Sequence, residues 1–504
     1  MAKGGGGGKG GPTLYYEIAD FKQGMDLRKS ALTAPAGTMR LLQNAHITPG
    51  GEIEKRSIFQ YWCDAPAGSI GLSAANGQPY THLPGGSNVA PSDTNIGVVG
   101  ITPPTGITLY SQGTFDVYNG MIYAIFWGHD ASNNWGIYHY YNGAFITGPS
   151  SSPGSGARGV YIRTYKEKMY GLIGRTLYFS AVGDPTTWVD PPPDASGNVA
   201  HNGSGFRNLG ANDADSDNLV SMEVYYDKMA IFSELSCQLW FLDPDPSLNQ
   251  YYQTLRDAGT VAARSVKQYV ANDVYFLGTH GIRSLRARDL SLTAAVADVG
   301  SPLDPLIQQL LGSPGQGWMS NCIAVLSPRS GRIWMIFPDR IYILSNFASP
   351  NISAWSVYLP TDQNGTAFQI ADAVFADPYI ILRDANNHLY RFGNTGPLQY
   401  DASPVTVLLP WLSFDKPTTF KWYEGFDAIC TNTWNVQASL DPALDGQAGQ
   451  PWDQWCQLTG PTMLLGRIPV QSRSTHVQLQ LTCNTSGPAT FSKLFVHYSP
   501  SDTD

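Results

Sequence analysis

The chain has 504 residues, which is long enough to bury a large core and to form more than one domain. Charged residues make up only 14% of it and the formal net charge is −9, which argues against a nucleic-acid binder that depends on a wide basic surface. The 52 glycines, the 35 prolines and an aromatic content of 12% favour an all-β protein with many short strands.

The N-terminal segment combines a tail with an extended arm. Residues 1–15 contain the run "MAKGGGGGKGG", which lacks the apolar core of a signal peptide and predicts a flexible tail. Residues 16–60 place apolar side chains between turn-forming glycines and prolines, too few to bury one another locally. We therefore expect the arm to add strands to a neighbouring sheet, or to close the first blade of its own chain.

A weak internal repeat extends over residues 61–400. Six segments share a layout in which a tight turn precedes an apolar strand and an aromatic-rich strand follows. Their spacing of about 45–60 residues is the length of a four-stranded blade, so we predict a β-propeller of about six irregular blades. A sandwich of long hairpins is the alternative. The apolar strands begin near Ile122, Met169, Met229, Val274, Ile333 and Tyr379.

The remaining elements are one helix and a second domain. In "SPLDPLIQQLLG", Asp304 can cap a short helix and Gly312 can end it. Residues 401–504 contain alternating strands without the blade layout, which predicts a smaller C-terminal β-sandwich-like domain. Residues 471–498 are expected to form a long hairpin that completes it.

Motifs for catalysis, cofactors or metals lack their required context. The glycines of Gly154–Gly159 match GxGxxG, but a loop precedes them and a strand follows. Asp213–Asp217 alternate as in a calcium loop without its glycine and glutamate, so a solvated acidic turn is favoured over weak calcium binding. His139 and His497 lie on strand patterns, where a packed histidine is more typical than a ligand. We predict no catalytic, cofactor-binding or metal site, although a glycosidase-like carboxylate pair cannot be recognised in a sequence.

The six cysteines are scattered and form no CxxC pair, which argues against a structural zinc site. Most stand beside aromatic or aliphatic residues, so buried free thiols are expected, as is typical of a reducing compartment. They are Cys63, Cys237, Cys322, Cys430, Cys456 and Cys483.

Four short motifs follow one another along the arm: a Phe-x-x-Gly-x-Asp start, an Ala-Pro-x-Gly-Thr turn, an asparagine after an amphipathic stretch, and a Gly-Gly-x-Ile-x-x-Arg strand entry. Together they resemble the N-terminus of the tail nozzle proteins (tail tubular protein B) of short-tailed bacteriophages and of the related packaged-DNA stabilisation and tail-hub proteins. The segments "LYFSAVGDPTTW" and "LFVHYSP" are similar to the same family. The resemblance implies that nine residues of the arm serve in assembly. They are Phe21, Gly24, Asp26, Pro35, Gly37, Asn44, Gly50, Gly51 and Arg56.

The resemblance implies a structural virion protein without catalysis or cofactor, made in the host bacterial cytoplasm and located in the virion tail. Its copies would form a homohexameric ring, with the portal-adaptor ring above and tail fibres or spikes beside it. Genomic double-stranded DNA would pass through the channel without sequence-specific binding, and the chain would insert in no membrane. An acidic lumen fits this role because it repels phosphate. Long loops at residues 147–159 and 191–218 are candidates for narrowing the channel.

Two other classes of function stay open at this point. One is a carbohydrate-binding or carbohydrate-cleaving propeller, such as a tail-borne depolymerase or a lectin. The other is a monomeric propeller scaffold.

Overall fold

A computed structural model describes the chain over residues 13–141, 144–145, 161–210, 217–269, 273–287, 294–312, 319–349, 351–393, 399–442, 452–461 and 472–500. These residues are mostly strands, and one α-helix among them, α1 (Asp304–Gly312), is the predicted one. No helix in the described part is both long and apolar enough to cross a membrane. The chain divides into a propeller unit (Gln60–Asp339 and Phe368–Phe392) and a sandwich unit (Met1–Phe59, Arg340–Ala367 and Gly393–Asp504).

The arm forms five short strands. They are β1 (Leu14–Ile18), β2 (Leu41–Gln43), β3 (Ala45–Ile47), β4 (Ile53–Lys55) and β5 (Phe59–Asp64).

The middle of the chain consists of successive small sheets. In chain order the strands are β6 (Ile70–Ala75), β7 (Gln78–Pro84) and β8 (Gly97–Ile101); β9 (Thr108–Tyr118), β10 (Met121–His129), β11 (Trp135–Tyr141) and β12 (Ala144–Phe145); β13 (Tyr161–Tyr165), β14 (Lys168–Ile173), β15 (Thr176–Phe179) and β16 (Gly205–Asn208); β17 (Leu219–Tyr225), β18 (Lys228–Ser233), β19 (Ser236–Phe241) and β20 (Gln250–Arg256); β21 (Lys267–Tyr269), β22 (Asp273–Gly278), β23 (Gly281–Ala287) and β24 (Ala294–Ala297); β25 (Ile323–Ser327) and β26 (Arg332–Ile336); β27 (Ile341–Phe347) and β28 (Ile352–Tyr358); and β29 (Ile370–Ala376), β30 (Tyr379–Asp384) and β31 (His388–Phe392).

The propeller unit contains seven sheets among its described residues, which we call blades 1 to 7. Blades 1 to 5 are β6–β8, β9–β12, β13–β16, β17–β20 and β21–β24; β25 and β26 form the part of blade 6 in this unit; and β29–β31 with β5 form blade 7. Each blade packs on the next through its inner strand, and β29 of blade 7 also contacts β6 of blade 1. The blades therefore close into a ring, and the fold of this unit is a β-propeller.

Burial on both faces explains why the apolar strands were visible in the sequence. In β10, Ile122, Ala124 and Phe126 pack against blade 1, whereas Tyr123 and Ile125 pack against blade 3. Successive side chains point to opposite faces of a strand, so a strand with a neighbour on each side has no position for a polar residue. All six predicted apolar strands are confirmed, as the second strands of blades 2 to 7.

The count of about six blades was one too low. The missed blade is blade 1, whose second strand β7 reads "QPYTHLP" and interrupts its apolar residues with polar ones and prolines. Its third strand, β8, runs parallel to β7, so no tight hairpin turn marks the boundary between them.

The last part of the chain forms seven strands in the sandwich unit. They are β32 (Val405–Leu412), β33 (Lys421–Cys430), β34 (Thr433–Leu440), β35 (Asp453–Thr459), β36 (Ser472–Ser474), β37 (Val477–Cys483) and β38 (Thr490–Pro500).

Two sheets make up the sandwich unit. One has the order β27-β28-β2-β32-β37-β34-β35, and the other has the order β3-β4-β38-β33-β36 with β1 beside β38. Side chains of the two sheets meet in the core, where the rings of Trp434 and Phe491 lie 5.2 Å apart in an edge-to-face arrangement.

The predicted hairpin over residues 471–498 is wrong. Strand β37 is paired on both sides, with β32 and with β34, so it has no free edge for β38. Strand β38 pairs instead with β33 in the opposite sheet. The predicted boundaries also differ from the observed units, because β28 pairs with β2 of the arm and brings Arg340–Ala367 into the sandwich unit.

The arm pairs with sheets of its own chain. Strand β2 lies between β28 and β32, β3 and β4 form a hairpin beside β38, and β1 runs along β38. Strand β5 adds the outer strand to blade 7, so the arm closes the last blade of the propeller instead of the first.

Several predicted loops lie wholly or partly outside the described residues. Residues 147–159, with Gly154–Gly159, lie outside the described residues, as does the acidic run Asp213–Asp217 except for Asp217. The segment 191–218 is not wholly without structure, because β16 within it completes blade 3. All six cysteines are free thiols, and five of them are buried, as expected.

Candidate functional site

The residues singled out in the arm centre on a buried arginine. Arg56 follows β4, and its side chain and that of Asp401 are both fully buried. Its Nη1 donates to Oδ2 of Asp401 at 2.9 Å and to the carbonyl of Ser57 at 2.8 Å. Its Nη2 donates to the hydroxyls of Thr361 at 2.6 Å and Ser403 at 3.0 Å. Burial lowers the pKa of Arg56, an effect that the charge of Asp401 opposes.

Asn44 completes this cluster from a left-handed backbone conformation with φ of 56°. Its Oδ1 accepts from Nε of Arg56 at 3.2 Å and from the backbone N–H of Leu359 at 3.0 Å. Its Nδ2 donates to the carbonyl of Pro404 at 2.9 Å, and its own N–H donates to the carbonyl of Val357 at 2.8 Å. All five guanidinium donors of Arg56 thus have acceptors, as a buried charge requires. We call Asn44, Arg56, Thr361, Asp401 and Ser403 the arginine cluster.

Two glycines of the arm lie where no side chain fits. Gly24 has φ of +60°, and a Cβ there would lie 2.7 Å from the carbonyl oxygen of Trp355. That carbonyl accepts the N–H of Met25 at 2.8 Å, which fixes the arm against β28. A Cβ at Gly37 would lie 2.1 Å from the carbonyl oxygen of Asp20. The motif glycines therefore permit close contacts between backbones.

Phe21 and Asp26 lie apart from the arginine cluster. Phe21 is fully buried, and its ring lies 6.3 Å from that of Phe491 in the sandwich core. Asp26 accepts Nε and Nη2 of Arg28 at 2.9 and 2.6 Å. Burial alone would raise the pKa of Asp26, but the hydrogen bonds from Arg28 hold it below its ordinary value.

The other motif residues form turns. The carbonyl of Pro35 accepts the backbone N–H of Thr38 at 3.0 Å and its hydroxyl at 2.7 Å. Gly50 and Gly51 connect β3 to β4, and the N–H of Gly51 donates to the carbonyl of Thr48 at 2.9 Å. The structure therefore brings only Asn44 and Arg56 of the nine residues into one cluster, and the others anchor the arm at separate points.

A second site, absent from the sequence-based predictions, is a cavity of about 1200 Å³ in the propeller unit. It is lined by the inner strands of several blades, including β6, β9, β17, β25 and β29, and by hairpin loops. We call it the axial cavity. Ligands bind preferentially in concave sites, and the central channel of a propeller is a concave site of this kind.

One wall of the axial cavity carries an ion pair and a buried carboxylate. Nη2 of Arg264 contacts Oδ1 of Asp372, and Oδ2 of Asp372 accepts the N–H of Leu72 at 2.7 Å. Asp384 accepts the backbone N–H groups of Asn386 and His388, each at 2.8 Å. These carboxylates are held by protein donors, so their charge is largely compensated.

The same wall carries polar groups of Ser69, Gln112 and Arg383. Nη1 of Arg383 donates to the carbonyl of Ser69 at 3.0 Å and to Oδ1 of Asn387 at 3.2 Å. Nε2 of Gln112 donates to the carbonyl of Leu72 at 3.0 Å. The remaining side-chain atoms Ser69 Oγ, Gln112 Oε1 and Arg383 Nε are buried and have no hydrogen-bond partner in the described protein.

An aromatic group lies at another part of the axial cavity. Tyr110, Trp127 and Trp135 line it, and the rings of Tyr110 and Trp135 meet edge to face at 5.6 Å. The ring of His129 lies 4.9 Å from that of Trp135. Tyr110 is 66% exposed and Trp135 is 38% exposed, so both present ring surface that the protein itself leaves uncovered.

Sequence reasoning missed the axial cavity because its lining residues come from segments far apart in the chain, from Ser69 to Asn387. One signal was available in "LYSQGTFDVY" of β9, where the polar residues Ser111, Gln112 and Thr114 stand close together in an inner strand. A polar run within an inner strand is unexpected unless that strand borders a cavity. His497, noted from its strand pattern, lies in the sandwich unit and contacts Asp427 at 2.8 Å, whereas His139 lies on β11 of blade 2.

No protein-family model matches the chain, and no curated protein matches it. Solved structures do match. BamB from Moraxella catarrhalis is 9% identical over 68% of this chain and 97% of its own, with a TM-score of 0.34. The Pan2 WD40 domain from Neurospora crassa is 9% identical over 57% and 91%, with a TM-score of 0.25. A provisionally assigned 6-phosphogluconolactonase from Bacteroides uniformis is 12% identical over 55% and 79%, with a TM-score of 0.33. Likeness of this degree says nothing about activity or partners.

Proposed function

We propose that this chain is a structural protein of the virion of a short-tailed bacteriophage, namely the subunit of its tail nozzle. In this role its copies form a homohexameric ring below the portal and adaptor. The ring retains genomic DNA in the particle before ejection and conducts the DNA during ejection. The observation that supports the proposal is the use of the arm motifs. Several residues that carry the family resemblance are buried scaffold positions, with Arg56 and Asn44 in the arginine cluster and Gly24 against the backbone of Trp355. Motif residues that support the fold are expected in a family whose members share an architecture.

The proposed role requires rigid subunits that bind one another in a closed ring. A propeller closed by β5 and an arm fixed through buried hydrogen bonds both favour rigidity. Ring closure uses heterologous contacts between unlike surfaces. Phe206 and Val189, which are 71% and 66% exposed in the propeller unit, are apolar side chains suited to such a contact.

The charge of the chain fits passage of DNA without adhesion. The formal net charge of −9 gives each copy a repulsive field for phosphate, so a duplex enclosed by the ring would be confined sterically. The proposed mechanism of gating is steric narrowing by loops, for which residues 191–201 are exposed candidates.

The test asks where the chain lies in intact particles and whether the particles need it. Virions carrying a tagged copy are imaged, and their neighbours are identified by cross-linking mass spectrometry. We expect six copies in the tail, cross-linked to the adaptor ring. Particles made without the chain should package DNA but fail to retain it. Particles that retain DNA and infect normally without the chain would refute the proposal.

A parallel assay distinguishes the carbohydrate-cleaving alternative. The purified chain is incubated with host capsular and lipopolysaccharide fractions, and reducing ends are measured. Release of reducing ends at a rate that depends on the enzyme concentration would favour the depolymerase over the nozzle as the main activity.

A further inference from the structure

The axial cavity is lined by charged and aromatic groups that the nozzle proposal does not use. We propose that it binds an extended peptide segment of mixed charge, with a basic side chain at Glu234, an acidic side chain at Arg383 and apolar side chains against Tyr110 and Trp135. This inference concerns a binding function of the single chain, and it does not rest on assembly of a ring.

The first argument is the charge that the cavity leaves without a partner. Five charged residues line it, and three of them are compensated within the protein. Arg264 forms an ion pair with Asp372, and Asp384 accepts two backbone N–H groups. Glu234 is different, because it is exposed and its carboxylate forms no ion pair or hydrogen bond with the described residues.

Arg383 supplies the free charge of opposite sign. Its Nη1 donates to the carbonyl of Ser69 and to Oδ1 of Asn387, which are both neutral acceptors. Its Nη2 makes no hydrogen bond with the part of the chain that the structure describes. A charged group without a counter-ion attracts a ligand group of the opposite sign. One free anion and one free cation in the same cavity therefore favour a ligand that carries both signs.

The positions of these two charges in the ring of blades set the length of the ligand. Glu234 lies in the hairpin between β18 and β19 of blade 4, whereas Arg383 lies on β30 of blade 7. In a closed ring of seven blades, these two blades stand on opposite sides of the axis. The two charges of a free amino acid are too close together to reach both walls, but two side chains of an extended peptide can do so. The cavity volume of about 1200 Å³, above the range of about 300–1,000 Å³ for most small-molecule pockets, also favours a longer ligand.

Aromatic rings on blade 2 give the cavity an apolar surface. The rings of Tyr110 and Trp135 meet edge to face at 5.6 Å, and the two residues are 66% and 38% exposed. Uncovered rings of this kind contact apolar side chains and also attract cations. They therefore suit the aliphatic stem of a lysine or arginine as well as a neighbouring apolar side chain of the same peptide.

The strand edges at the cavity favour a polypeptide over other ligands that carry both charges. Strands β9 and β17 are each the last strand of their sheet, so the second edge of each pairs with no described strand. Both strands contribute lining residues, among them Ser111 and Val220. An extended peptide can form regular main-chain hydrogen bonds with such an edge, whereas a zwitterionic lipid headgroup cannot.

The experiment uses the full chain and a printed array of random dodecapeptides in four classes: peptides with lysine and aspartate, with lysine only, with aspartate only and with neither. We expect the strongest signals in the class that carries both. The best peptide is then titrated by calorimetry. Glu234→Lys should weaken its binding by at least about tenfold, because an attraction becomes a repulsion. Exchange of the lysines of the peptide for glutamate should restore its affinity for this variant to within about threefold of the original pair.

Control variants separate the cavity from the rest of the surface. Asp453→Lys reverses an exposed carboxylate of the sandwich unit and should change the affinity less than about twofold. Tyr110→Ala and Trp135→Ala should each weaken binding by about tenfold, because each removes an aromatic contact. Arg383→Gln should abolish the preference for aspartate, provided that far-UV circular dichroism shows that the variant folds; if it does not fold, Glu234→Lys decides.

Several outcomes would contradict the inference. A blank array would overturn it, as would equal affinity of the wild type and Glu234→Lys for the best peptide. Stronger binding of peptides with one sign of charge, or with none, would overturn the assignment of ligand class. Failure of the glutamate-containing peptide to regain affinity for Glu234→Lys would overturn the placement of the basic side chain. Absence of the chain from virions would leave all these results unchanged, so the two proposals fail separately.

Discussion

Removal of the guanidinium from the arginine cluster is the sharpest test of how the arm is held. Arg56→Met keeps an unbranched apolar side chain but removes the guanidinium paired with the fully buried side chain of Asp401. The cation that stays nearby is Lys55, whose Nζ donates to the backbone carbonyl of Asp401 at 2.6 Å and not to its carboxylate. Oδ1 of Asp401 still accepts the N–H of Ser403 at 3.0 Å, but Oδ2 loses its partner.

Most of the loss falls on this carboxylate. Thr361 and Ser403 hydroxyls lie 2.6 Å apart and can pair with each other, and Asn44 keeps the N–H of Leu359 as a donor. The carbonyl of Ser57 also loses the donor Nη1 of Arg56 and adds to the cost. Breaking a buried ion pair by removing one partner costs about 3–5 kcal/mol, and we expect Arg56→Met to lower the free energy of unfolding by that amount.

The assay is equilibrium unfolding in urea, followed by far-UV circular dichroism and tryptophan fluorescence. The double variant Arg56→Met/Asp401→Asn removes the stranded charge and should recover at least about half of the loss. Arg28→Met is the control within the same arm, because the side chain of Arg28 is 57% exposed and its pair with Asp26 should contribute less than about 1 kcal/mol. A loss below about 1 kcal/mol for Arg56→Met, or a double variant no more stable than the single one, would refute the reasoning.

Three further predictions concern backbone, histidine and thiols. Gly24→Ala should cost more than about 2 kcal/mol in urea unfolding because its Cβ would meet the carbonyl of Trp355, whereas Gly106→Ala, with positive φ but open space, should cost about 1 kcal/mol. Burial lowers the pKa of His82 to about 3, so only the unfolded chain gains a proton as pH falls from about 6.5 to about 3. Stability should fall over that window by up to about 5 kcal/mol, and His82→Gln should flatten the pH dependence of the urea midpoint. Iodoacetamide should label Cys456 first, since the other cysteines are buried, and rapid labelling of any of those would contradict the fold.

The elements that the sequence predicted well are those with two buried faces. Strands such as β10 and β14 have a blade on each side, so their apolar runs are visible without knowledge of the partners. Blade 1 was missed because β7 mixes polar residues and prolines with its apolar ones. The hairpin expected at β37 and β38 failed for another reason, since adjacency in sequence says nothing about which edges are already occupied.

The same contrast separates the two candidate sites. One segment of the arm holds several constrained positions: Arg56 and Asn44 of the arginine cluster, with five acceptors around Arg56 and a left-handed backbone at Asn44, and, outside the cluster, Gly24, which tolerates no Cβ. Each requirement narrows the choice of residue, and together they leave a recognisable motif. The axial cavity is assembled from residues as distant as Ser69 and Arg383, each of which is ordinary in its own strand. Its lining exists only after the ring of blades closes, so no single segment of the sequence indicates it, whereas the motif residues of the arm stand together in one segment of the chain.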